Sequence, residues 1–75
     1  MTLYEWRASE PVRLRRIAAG SELRLRLLEL GFVPGTELRV LARGLAGGLV
    51  VAHGDTRTAL DDRTAAALIV QGTPA

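Results

Sequence analysis

The sequence contains no cysteine, so no disulfide and no thiolate metal cluster can brace it. Lysine is missing too, and all ten basic residues are arginine. With abundant Ala, Gly and Leu, that is the signature of a GC-rich coding bias. Aromatic residues are scarce: Trp, Tyr and Phe occur once each. Stacking platforms of the kind single-stranded nucleic acids use are therefore hardly available. Charge of one sign is lacking as well. Ten basic and eight acidic residues leave a formal +2, which argues against a dedicated nucleic-acid binder. Long apolar runs are absent. Glu5, Arg7 and Glu10 interrupt the N-terminus where a signal peptide would be apolar, and Ala65 to Val70 is far short of the ~20 residues a spanning helix needs. A cytoplasmic, soluble chain is expected.

What is present is aliphatic. Seventy-five residues make a single domain over residues 1–75, near the lower size limit for a self-sufficient core. Its stability must come from buried Leu, Val, Ile and Ala, at roughly 25 cal/mol per Å² of apolar surface. VRLRRI, residues 12–17, alternates apolar and basic as a half-buried strand does, and Ile17 falls out of phase, which predicts a bulge near Arg16. Ala18 to Gly20 form a loop. SELRLRLLELG, residues 21–31, fits both strand and helix spacing. Ser21 as N-cap, Glu22 in the first turn, Gly31 past the end and the lack of β-branched residues favour a helix from Glu22 to Leu30. Leu23, Leu27 and Leu30 then form the core stripe, Leu28 flanks it, and Leu25 points outward between Arg24 and Arg26.

Gly31 can adopt the left-handed conformation that stops a helix, after which Phe32 and Val33 return to the core. Pro34-Gly35 suits the central positions of a type II turn. TELRVL, residues 36–41, alternates as a second strand. Arg43 to Gly48 is a glycine-rich turn, Leu49 to His53 a third strand, Gly54-Asp55 a two-residue hairpin of the primed type, and Thr56 to Leu60 a fourth strand. Asp61 or Asp62 caps a helical turn through Ala67, and Leu68 to Val70 closes the sheet. Met1-Thr2 and Gln71 to Ala75 are expected to fray. The fold class is mainly β: a small, partly open barrel of about five strands with one inserted helix and a short helical turn near the C-terminus.

Catalytic inventory is thin. His53 is the one histidine and has no H-x-x-H neighbour; Asp61-Asp62, the one adjacent acidic pair, is better used as a cap. The glycines of LAGG are not followed by Lys-Ser/Thr and do not form G-x-G-x-x-G. No catalytic residue, cofactor or metal site is expected. Arg13, Arg15 and Arg16 form a basic strip that reads as a solvated outer face, and Tyr4 and Trp6 read as covers for one end of the barrel.

The stretch ELRLRLLELGFVPGTELRVL, residues 22–41, resembles the FeoA family of small proteins of bacterial ferrous iron transport. It has that family's Leu-Arg, variable pair, Leu-Leu, two further residues, Gly, hydrophobic pair and Pro-Gly before a strand. The first strand, Ala59-Leu60 and Ala66 to Val70 extend the similarity to about Leu3 to Val70. Two departures stand out: Leu45-Ala46-Gly47-Gly48-Leu49 retains only the glycine of a Pro-Leu-Gly-Asp-Pro-like turn, and Leu25 and Asp61 stand where relatives often carry a polar and a basic residue. The resemblance implies an SH3-like barrel and a non-enzymatic accessory role. Its implied partner is FeoB, the membrane transporter with a cytosolic GTPase domain; no nucleic acid and no membrane insertion are implied, and weak self-association stays open. The same domain type ends some DtxR-like repressors, so a regulatory or nucleic-acid-binding module is the alternative. On this reading Arg24, Leu25 and Leu28 of the helix, with Phe32, Pro34 and Gly35 of the turn, contact the partner.

Overall fold

The computed structural model of the chain describes residues 1–7 and 9–72. A short 3-10 helix, Leu3–Glu5, comes first. Five strands follow: β1 (Val12–Ile17), β2 (Glu37–Arg43), β3 (Leu49–His53), β4 (Thr56–Leu60) and β5 (Leu68–Gly72). Helix α1 (Ser21–Glu29) is inserted between β1 and β2, and α2 (Asp62–Ala67) between β4 and β5. All neighbours in the sheet are antiparallel, in the order β4-β3-β2-β1-β5. This is the mainly-β, five-stranded architecture with one inserted helix and a late helical turn that the sequence predicts.

Alternation sets the inner face. Val12, Leu14 and Ile17 of β1, Leu38 of β2, Leu49 and Val51 of β3, Leu60 of β4 and Leu68 and Val70 of β5 are all buried in one cluster. Two bulges bend the sheet around that cluster, which is how a strip of five strands wraps toward a barrel. One lies between Leu14 and Arg16, in keeping with the bulge near Arg16 that the phase break at Ile17 predicts. The other lies between Val40 and Ala42 and turns Leu41 out to solvent. Glycine conformation fixes the turn between β3 and β4. At Gly54 φ is +58°, and no non-glycine residue among those described has positive φ, so the β3–β4 hairpin is type II′ rather than I′.

Several expectations need correction. The N-terminus is anchored rather than frayed: the Thr2 hydroxyl accepts from the Glu5 N–H, the Glu5 carboxylate accepts from the Thr2 N–H, and Val70 N–H donates to the Met1 carbonyl. Hydrogen bonding to the carboxylate from the Thr2 N–H, and then from the Thr2 side chain, holds the Glu5 carboxyl below its ordinary pKa. Gln71 and Gly72 belong to β5, while the remainder of the expected frayed end, residues 73–75, lies outside the described residues. Ser21 is the first residue of α1 rather than its cap; Gly20 holds the N-cap position without a side-chain bond. Asp61 caps α2, accepting from Thr64 N–H at 2.7 Å, and hydrogen bonding from the Thr64 side chain, together with that backbone bond, keeps its carboxyl below the usual range.

Candidate docking surface

Helix α1 touches the core along a thin line. Leu27 is its one buried residue, with Leu23 and Leu28 half-buried against the same cluster. Leu30 is 48% exposed, so the predicted Leu23–Leu27–Leu30 stripe stops at Leu27. The reason lies in the C-terminus: Leu30 is the C-cap, and the chain reverses immediately after it. Gly31 N–H donates to the Leu28 carbonyl and Phe32 N–H to the Leu27 carbonyl, with Gly31 at φ +101°. These are the two bonds of a Schellman motif, in which a glycine supplies the left-handed residue. The apolar contact that accompanies the motif is supplied by Leu27 and Phe32, both fully buried.

Phe32 therefore serves the core and cannot offer its ring to a partner, while Val33, expected inside, is 47% exposed. The ring of Phe32 lies 4.1 Å from that of His53, at 34°. His53 is itself buried, with Nε2 2.7 Å from the Thr58 hydroxyl, and burial lowers its pKa. A Cβ on Gly31 would stand 3.4 Å from His53 Nδ1. So the end of α1 is locked to the β3–β4 hairpin through an imidazole. Single-residue periodicity gave no hint of this pairing, because it joins positions 21 apart in sequence.

The turn after Val33 is sewn to β1. Thr36 N–H donates to the Val33 carbonyl, closing the turn at Pro34-Gly35 with Gly35 at φ +97°, as a type II turn requires. Gly35 N–H donates to the Leu14 carbonyl at 2.7 Å, and Arg13 Nη1 donates to the Gly35 carbonyl at 2.6 Å. Pro34 and Gly35 are exposed, yet the polar groups of Gly35 are already taken up within the chain. Any contact they make is by shape.

The outer side of α1 is different. Leu25 is 58% exposed, with Arg24 and Arg26 beside it and a shallow depression lined by Glu22, Leu25, Arg26 and Glu29. Arg24 leans back, its guanidinium 3.4 Å from the Ala19 carbonyl. Of the residues expected to form a docking surface, the structure brings Arg24 and Leu25 to the outer side, leaves Leu28 half-buried, keeps Pro34 and Gly35 at the exposed turn and removes Phe32.

The described residues hold no group of three or more His, Cys, Asp or Glu placed to grip a metal ion. No described helix is long and apolar enough to cross a membrane. Sequence reasoning missed a clamp: Arg43 donates to the carbonyls of Tyr4 and Trp6, pinning the N-terminal segment over the barrel. The pattern Thr2-x-x-Glu5 is a capping-box signature and could have revealed the 3-10 helix inside that segment.

Comparison with known proteins is consistent with this architecture. The sequence matches the FeoA domain family over residues 1–72. The structure is similar to that of FeoA from Stenotrophomonas maltophilia, a prokaryotic SH3 domain protein solved with zinc and suggested to be a ferrous iron transport activating factor. The two chains are 37% identical with a TM-score of 0.80, covering 95% of this chain and 89% of that one. Iron(II) transport protein A of Clostridium thermocellum is 29% identical at TM-score 0.87, covering 96% of this chain but 45% of its own. A manganese-dependent transcriptional repressor, solved with manganese, is 26% identical at TM-score 0.88, covering 97% of this chain and 36% of the repressor. A search of curated proteins returned no match.

Proposed function

This chain belongs to the FeoA family, and from that premise we propose that it is a cytoplasmic, non-enzymatic accessory of ferrous iron uptake that docks on the cytosolic part of a FeoB-like transporter. The observation that carries the reading is Leu25: a large aliphatic side chain standing 58% exposed on a helix whose neighbouring positions are charged. An apolar anchor inside a polar rim is how interface hot spots are built. The rim here is Glu22, Arg24, Arg26 and Glu29, so the charges would steer the partner while Leu25 supplies burial. Pro34 and Gly35 extend the contact by shape. The test is a titration of this chain with the purified cytosolic GTPase part of such a transporter, followed by NMR shifts. Perturbations centred on residues 22–29 and 33–35 support the reading; perturbations confined to the sheet, or none, remove it.

A second reading, a regulatory module like the matching part of the manganese-dependent repressor, draws on the fold likeness alone. DNA titrated at two salt concentrations separates the two, since phosphate contacts give a steep salt slope.

A further inference from the structure

The outer face of the sheet carries charge that the hydrogen bonding of the chain does not cancel. Register fixes its layout. Arg39 of β2 stands opposite Ala52 of β3, and Ala52 opposite Arg57 of β4. In the neighbouring row Arg13 of β1 stands opposite Glu37 of β2 and Gln71 of β5. Arg13 donates to the Gly35 carbonyl, Arg15 to the Gln71 side chain and Arg39, at 3.5 Å, to the Ser9 carbonyl. Each acceptor is neutral, so each guanidinium keeps its full charge. The Arg57 side chain has no hydrogen bond or ion pair among the described residues. Glu37 is the carboxylate on these strands, with Asp55 in the turn beyond them.

The face is also indented. An open cleft of about 450 Å³ is lined by Thr36, Glu37, Leu38, Arg39, Ala52 and Gly54. Its floor is shallow because Ala52 and Gly54 carry almost no side chain, while the flanking positions of β2 and β4 carry arginines. We infer that this cleft is a docking groove for an extended acidic peptide segment of a protein partner. Charge complementarity names the occupant. Arg39 and Arg57 lie two strands apart, roughly 10 Å at the backbone, and their long side chains converge on carboxylates two residues apart on one face of an extended chain, ~6.6 Å at ~3.3 Å per residue. A nucleic acid fits less well: no Phe, Tyr or Trp lies on these strands to stack a base, and the His53 ring is buried. The groove begins at Thr36, directly after the turn of the α1 surface, so on the reading proposed above one partner could span both. The inference deepens that reading and rests on it only for the identity of the partner.

The test is fluorescence anisotropy with a labelled peptide of alternating Glu and Ala, beside the same peptide with Gln for Glu and an oligothymidylate of equal charge. The Glu peptide is expected to bind, and to weaken as salt shortens the Debye length from ~10 Å at 0.1 M toward ~3 Å at 1 M. Arg57→Gln, which costs no contact within the fold, is expected to weaken it about three- to tenfold at an unchanged melting temperature. Arg63→Gln, on α2, is expected to leave it as it is. Ala52→Leu, filling the floor, is expected to weaken it at both salt concentrations. Equal binding of the Gln peptide, no effect of Arg57→Gln, or tighter binding of the oligothymidylate than of the peptide would each overturn the groove. None of these outcomes depends on the transporter, so the groove and the α1 surface can fail separately.

Discussion

The five-stranded sheet and helix α1 are held by very different means. Together the strands send Val12, Leu14, Ile17, Leu38, Leu49, Val51, Leu60, Leu68 and Val70 into a shared buried cluster, whereas α1 sends Leu27 alone and leans on it with Leu23 and Leu28. The sheet end of the molecule also has an arginine clamp, a capping box and a main-chain bond from Val70 to Met1. At α1 the fastening is a hinge: a Schellman motif, a Phe–His ring contact and a Pro-Gly turn stitched to β1. The difference teaches that packing claims most apolar side chains of the sheet but few of those of α1. Residues that hold α1 in place lie at its C-terminal end, and its outer side is left available because the fold does not need it.

The sharpest way to break that comparison is at the hinge. Phe32→Ala removes the ring that joins α1 to His53 and the core, at a cost of about 3–5 kcal/mol. For a domain this small, that approaches its whole stability, and guanidinium titration followed by circular dichroism should find it largely unfolded. A near-wild-type midpoint would mean that the hinge is ornamental. Gly31→Val is next. A β-branched residue at φ +101° is strained, and its side chain would be driven toward the His53 ring, so a loss of about 2 kcal/mol is expected. That corresponds to a Tm lower by roughly 8–16 °C. An unchanged Tm would show that the helix does not end as described.

Proton titration probes the same hinge more gently. Burial lowers the pKa of His53 in the folded state, so the unfolded chain binds the proton more readily. Stability contributed by the neutral imidazole is therefore present above the unfolded pKa of about 6.5 and is lost as pH falls from there toward the lower folded value. Glu5 and Asp61, whose carboxyl pKa values are also lowered, lose their contributions only in the more acidic carboxylate range. A Tm that declines between about pH 7 and 5, with the decline abolished in His53→Gln, is the expected result; a flat profile in the wild type would place His53 outside the hinge.

The sheet was legible in the sequence because its signal is local. Alternation at Val12–Leu14, at Leu38–Val40 and through Leu49–His53 needs only neighbouring residues to be read, and Gly31, Pro34-Gly35 and Gly54 announce their turns by backbone chemistry. Asp61 was one of two adjacent candidates for a cap, and only geometry selects it. What stayed hidden is non-local. Burial of Phe32 against His53, the hold of Arg43 on Tyr4 and Trp6, and the row Arg39–Ala52–Arg57 each join residues distant in sequence, so no periodicity encodes them. For the docking surface, helical phase correctly placed Leu25 outside but overextended the core stripe to Leu30, because the chain reverses at Gly31, and of the pair Phe32-Val33 expected inside after that glycine only Phe32 is buried.

The smallest expected effect on stability is also the most informative about function. Leu25→Glu alters a side chain the fold does not use, so its Tm should stay within a degree or two of wild type. Its affinity for the cytosolic GTPase part of a FeoB-like transporter, read by isothermal titration calorimetry, should fall about tenfold or more, as loss of a central anchor does. Equal affinity in the two chains, with both equally stable, would contradict the claim that the outer side of α1 is where this protein meets its partner.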